Sequence, residues 1–120
     1  EEGSVLAAAF HTAPRPGPAT FSFCAEADVG SHIYRVMPLV QQLVADQNPA
    51  FCIMAGDLTY GDEKGPAVVD DHFNDVMAWS LDAAYMPAWG NHEWQVGPQV
   101  DPFENYKGRF LLPHPQTSNT

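Results

Sequence analysis

Ala50-Phe51-Cys52-Ile53-Met54-Ala55-Gly56-Asp57-Leu58-Thr59-Tyr60 is the stretch on which the reading of this chain turns. Its first six residues form a short apolar run with the length and composition of a buried strand. Such a strand delivers Asp57 and Tyr60 to its carboxyl end, where open α/β sheets bind their ligands. Asp57 supplies a carboxylate able to bridge two cations. Tyr60, on the same tight loop, supplies a phenol that a strongly charged cation can deprotonate. Taken alone, the pentapeptide reads equally well as an Asp-containing turn with Tyr60 packed as an ordinary aromatic. Its neighbours decide.

Two further strands are expected to end in the same way. Phe21 to Ala27 leads into Asp28-Val29-Gly30, where glycine frees the backbone for a sharp turn, and Tyr85 to Trp89 opens into Gly90-Asn91-His92-Glu93. Between the first two strands, Ile33, Val36, Met37, Val40, Leu43 and Val44 recur at helical spacing. A helix from Ile33 is therefore expected to bury that stripe, with Pro38 tolerable near its start, and to stop at Asn48-Pro49. After a loop over 61 to 66, a second helix around 67 to 82 is expected to carry Val69, Phe73, Val76, Met77 and Ser80 on one side. Asp70, Asp71, Asp75 and Asp82 then form its solvated face.

The pattern predicts an α/β fold, βαβαβ with parallel strands and a right-handed first crossover. A parallel sheet aligns its strand ends, so Asp28, Asp57, Tyr60 and Asn91 are expected to meet. Oxygen donors of this kind suit hard cations, and a carboxylate shared by two ions sets them about 3.5 to 4 Å apart. Cys24 and Cys52, counted back from Asp28 and Asp57, fall out of phase, which predicts two free thiols on opposite faces of the sheet.

Composition narrows the partners. Fifteen acidic against five basic residues give a net charge of −10 over 120 residues. This argues against binding a nucleic-acid backbone and against docking on an anionic membrane, and it favours cations. No run of eighteen apolar residues spans a bilayer. The length allows one domain at most. The chain reads as a piece of a longer protein, with any export signal upstream.

The three strand-end signatures, in this order, resemble the first three motifs of the calcineurin-like metallophosphoesterases. The broad superfamily usually has histidine two residues after the first Asp. Here that place is Gly30, and a tyrosine stands at Tyr60, a pair of changes that resembles the purple acid phosphatases. Asn105-Tyr106-Lys107-Gly108-Arg109-Phe110 with Pro113 is similar to the segment that follows the third motif. Phe10-His11-Thr12-Ala13-Pro14 with Pro16-Gly17-Pro18 is similar to the last strand and exit linker of a preceding fibronectin-like domain.

The resemblance implies a domain organisation: residues 1–12 as the remnant of that β domain, 13–20 as linker, and 21–120 as the N-terminal part of a catalytic domain. The complete domain would be a β-sandwich flanked by helices. The implied activity is hydrolysis of phosphomonoesters by a metal-bound hydroxide at a dinuclear centre, and a secreted or extracytoplasmic location goes with it. Residue by residue, Asp28 and Tyr60 would bind Fe(III), Asp57 would bridge, Asn91 would bind a divalent ion (Fe, Zn or Mn), and His92 would contact the phosphoryl group of the phosphate-ester substrate.

The departures matter too. Ala27 stands where the family usually has glycine, and the two later histidine motifs that complete the metal shells are absent. Leu111-Leu112-Pro113-His114 comes too early and follows no strand signal. Residues 1–120 alone are therefore expected to be inactive. His11, His32, His72 and His114 read as ordinary surface or loop histidines. Two other readings stay open: a divalent-metal phosphodiesterase or nucleotidase in which Tyr60 is only structural, and a non-catalytic binding module that retains the scaffold.

Overall fold

The computed structural model describes residues 9–12, 15–94, 106, 109 and 110. Three short strands, β1 (Cys24–Glu26), β2 (Phe51–Ala55) and β3 (Ala84–Ala88), pair in parallel in the order β1-β2-β3. A single 3₁₀ turn at His32–Tyr34 and α1 (Met37–Asp46) join β1 to β2; α2 (Gly61–Lys64) and α3 (Ala67–Ser80) join β2 to β3. The expected α/β architecture, βαβαβ with parallel strands, is present. The described residues hold this one sheet. None of their helices is long and apolar enough to cross a membrane.

The period-2 alternation of the strands sorts the core. Cys52 and Met54 point to the face covered by α1 and α3, where they are fully buried with Val44, Leu58, Val76 and Trp79. Ile53 and Met86 point the other way, and Met86 stays 51% exposed. Parallel sheets are usually covered on both faces, so this sheet presents one apolar face without a layer over it among the described residues. Near its edge Phe23 stacks on Phe51 at 5.3 Å.

Several expectations require correction. β1 is shorter than Phe21 to Ala27, and the region of Gly61-Asp62-Glu63-Lys64 forms one helical turn rather than a loop. The first helix does not run from Ile33. The 3₁₀ turn breaks it, and after Arg35 (φ 3°) the chain restarts at Met37 with Pro38 in the first turn, where its missing N–H is harmless. The restart changes the phase of the stripe. Val44 is buried and Met37 partly so, but Ile33, Val36, Leu39 and Leu43 are exposed, the last two by 67% and 63%. Gln41 takes the central buried place because both ends of its amide are engaged: Trp79 Nε1–H donates to Oε1 at 2.7 Å, and Nε2 donates to Glu26 at 2.9 Å. The helix stops as expected, with Asn48 left-handed at φ 47° before Pro49. In α3 the buried set is Val68, Val69, His72, Val76 and Trp79, with Met77 exposed.

The two thiols share a face. Cys24 and Cys52 are register partners in adjacent parallel strands, because Glu26 pairs with Met54 and so Asp28 stands across from Gly56, not from Asp57. The first two motifs are offset by one residue, and counting back from their aspartates mistook the phase. Both thiols are free, and burial with the nearby Glu26 carboxylate pushes Cys52 up to about 12. Of residues 1–12, which the resemblance makes the remnant of a β domain, 9–12 have no regular structure; the others lie outside the described residues, as does His114.

His72 is not a surface histidine. It is fully buried, its Nδ1–H donating to the Gly30 carbonyl at 2.8 Å while Nε2 accepts from the Tyr85 hydroxyl at 2.8 Å. The ring thereby ties α3 to the loop after β1 and to β3. Burial lowers its pKa from 6.5 to about 4, against the opposing pull of the Gly30 carbonyl. An unfolded chain thus takes the proton first. Stability from this group is complete above about pH 6.5 and falls as pH drops towards 4, by up to about 3 kcal/mol. Urea unfolding at pH 7 and at pH 4 should show His72→Asn losing less stability on acidification than the wild type. Equal losses would contradict a buried neutral ring.

Candidate functional site

The three strand ends are tied together by two different devices. The first is backbone pairing that continues past the strands: Asp28 N–H bonds the Gly56 carbonyl at 3.2 Å, Val29 bonds Asp57 at 3.0 Å, and Gly30 bonds Leu58 at 2.9 Å. The second is one side chain. Glu93, fully buried at the end of the 3₁₀ turn Asn91–Glu93, accepts from Leu58 N–H through Oε1 at 2.7 Å. Its Oε2 accepts from Asp57 N–H at 2.9 Å and Gly90 N–H at 2.7 Å. In return, His92 N–H donates to Asp57 Oδ1 at 3.0 Å.

The second and third loops touch backbone to backbone. A Cβ on Gly56, which sits at φ 93°, would lie 2.9 Å from Gly90 Cα, and a Cβ on Gly90 would overlap Asp57 N and Oδ1. Glycine is therefore required on both sides of this contact. Below it, the loop is anchored by Thr59 Oγ1, which accepts from Gly61 N–H at 3.2 Å and meets the buried Tyr106 hydroxyl at 2.6 Å.

Four described non-glycine residues lie in the left-handed region, and three of them are candidate ligands: Asp28 (φ 53°), Asp57 (51°) and Tyr60 (58°). Aspartate visits this region with modest cost, but an aromatic residue there costs on the order of 1 kcal/mol or more and persists only where its surroundings hold it. The conformation turns Tyr60 back over the site. Its hydroxyl donates to Asp28 Oδ1 at 3.1 Å, and its ring lies 4.3 Å from that of His92 and 6.2 Å from that of Tyr34. Desolvation, reinforced by the Asp28 carboxylate, pushes the phenol up to about 12.

His92 Nδ1 hydrogen-bonds Asp62 at 3.0 Å, with Glu63 3.8 Å away. Desolvation pulls its proton affinity down, but Asp62, with Asp57 and Glu63 behind it, outweighs this and raises the pKa above the ordinary imidazole value. Nε2 is the nitrogen through which the ring can meet a ligand.

Asp28 thus joins Tyr60, and Asp57 joins the His92 backbone, while Asn91 stands exposed at the first position of its 3₁₀ turn. Glu93 and Asp62 were passed over in the sequence. A signal for Glu93 existed, since an acid three residues after Gly90 is half of a capping box; its bonds to Asp57 and Leu58 have no local signature. Among the described residues, no three His, Cys, Asp or Glu side chains converge as a metal site. Tyr60 and Asp28 meet, and Asp57 and Asn91 lie on the two neighbouring strand-end loops; two carboxylates, a phenol and an amide are donor types that fit hard cations. A groove of about 550 Å³, lined by Phe21, Ser22, Asn48 and Ala50 among others, lies at the amino ends of the strands, away from these residues.

Comparison with curated proteins and with solved structures returned no match. Comparison with protein families returned a profile that spans the sheet, α1, α2, α3 and all three strand-end loops. The chain belongs to the calcineurin-like phosphoesterase family, matched over residues 21–119.

Proposed function

We propose that the protein is a dinuclear acid phosphatase of the purple subtype, hydrolysing phosphomonoesters at the carboxyl ends of β1, β2 and β3. Family membership supplies the coarser part of this reading, metal-dependent phosphoester hydrolysis. The observation that carries the finer part is the Tyr60 to Asp28 hydrogen bond at 3.1 Å, which sets a phenol beside a carboxylate where Gly30 leaves no imidazole.

Asp28 and Tyr60 would hold Fe(III), Asp57 would be shared, and Asn91 would serve a divalent ion such as Fe, Zn or Mn. Bound there, the ion pair would supply an activated water and neutralise phosphoryl charge. The chain's own residues prepare for this. Tyr60 must release the proton it now donates to Asp28, and with its pKa near 12 only a strongly charged cation can drive that release at acid pH. Asp62 orients His92 and favours its charged form, so the ring can donate to a phosphoryl oxygen and spread transition-state charge. With five basic residues against fifteen acidic ones, the chain offers few side chains that could do this instead.

The test uses the full-length protein, loaded with iron and zinc and oxidised, with p-nitrophenyl phosphate as substrate. Turnover is expected together with a visible absorption band, the colour that the purple resemblance implies. Tyr60→Phe should remove the band and leave far-ultraviolet circular dichroism unchanged, since one hydroxyl is lost. Turnover by a colourless, iron-loaded wild type would replace this reading with the divalent-metal phosphodiesterase or nucleotidase. No turnover would leave a scaffold that binds without catalysing.

A further inference from the structure

We infer that Glu93 is a positioning residue: its carboxylate clips the Asp57 loop to the His92 loop and thereby sets the cation affinity of the site. The inference rests on the metal-dependent reading above. A fully buried carboxylate costs several kcal/mol unless its oxygens are satisfied, and here three backbone N–H groups satisfy them. A helix cap alone would need only the bond to Gly90. The other two cross to residues 35 and 36 positions away in the sequence, on the loop that carries Asp57 and Tyr60.

Asp57 is held at both ends by this arrangement. Its N–H is bonded by Glu93 and its carboxylate Oδ1 by His92 N–H, while its φ of 51° is one it would relax from if released. Ligand sites tolerate displacements of only about 0.5 Å, so slackening the clip moves the one carboxylate on which both ions would depend. Glu93→Gln keeps the shape but sets an amide N–H against a backbone N–H, because the three donors need both carboxylate oxygens. Glu93→Asp keeps the charge and shortens the reach.

The test measures Zn²⁺ affinity of the full-length protein by competition with a chromophoric chelator, alongside amide hydrogen exchange of the metal-free protein. Glu93→Gln should weaken Zn²⁺ at least about tenfold and Glu93→Asp about threefold, lowering kcat more than it changes KM. Exchange at Asp57, Leu58 and Gly90 should accelerate together. Trp79→Phe, which removes the buried hydrogen bond to Gln41 and none of the three bonds to Glu93, is the control: it should lower the melting temperature yet keep Zn²⁺ affinity within twofold. A folded Glu93→Gln with wild-type affinity and exchange would overturn the inference. If that variant fails to fold, wild-type affinity in Glu93→Asp does the same. A wild type that binds no Zn²⁺ would sink the metal-dependent reading and the claim on affinity with it, and the exchange data would still judge the clip.

Discussion

Asp57→Ala is expected to abolish phosphoester hydrolysis in the full-length protein and to release both metal ions, because a carboxylate shared as proposed above cannot be lost from one shell alone. Metal centres contribute several kcal/mol to the transition state, so the expected fall in kcat/KM is on the order of a thousandfold or more. The structure adds a stability cost. Alanine at φ 51° is strained by about 1 kcal/mol or more, and the His92 N–H loses its acceptor. Asp57→Asn separates the two effects, since asparagine tolerates the left-handed conformation and keeps an oxygen for His92. It should unfold near the wild-type temperature and still lack turnover. Two ions per chain in either variant would show that Asp57 is not shared.

Gly90→Ala is expected to have the second largest effect, although the residue carries no functional group. Its new methyl would enter the space of Asp57 N and Oδ1: turning the side chain could clear Oδ1 only by giving up its bond from His92 N–H, and the backbone N cannot yield without moving the loop. Overpacking of this kind costs about 1 to 3 kcal/mol, and a displacement near 1 Å at reacting groups costs about a hundredfold in rate. Thermal unfolding and kcat should therefore fall together. A variant near wild type in both would mean that the second and third loops do not touch as described.

Much of the fold was legible because its signals are local. Apolar runs of strand length, the Pro49 stop and the polar signature after each strand are all written within a few neighbouring residues, and they placed Asp28, Asp57, Tyr60 and Asn91 at one end of the sheet. The misreadings share one cause. The buried identity of Gln41 and His72 depends on Trp79, Glu26, Gly30 and Tyr85, which lie far along the chain and reach them only after packing. Polarity put His72 at the surface and an apolar stripe left Gln41 out, yet burial accepts both because every polar atom finds a partner.

The sequence by itself determined the elements, their parallel order and the end at which chemistry gathers, because strand period, turn residues and helix stops act over one or two turns of chain. Tertiary structure alone decided the one-residue offset that sets Asp28 across from Gly56 and puts both cysteines on one face. It alone made Glu93 the clip between two loops. Register and cross-loop bonds are chosen by which groups must be satisfied when water is excluded, and the groups that compete for each bond are known only once distant segments meet.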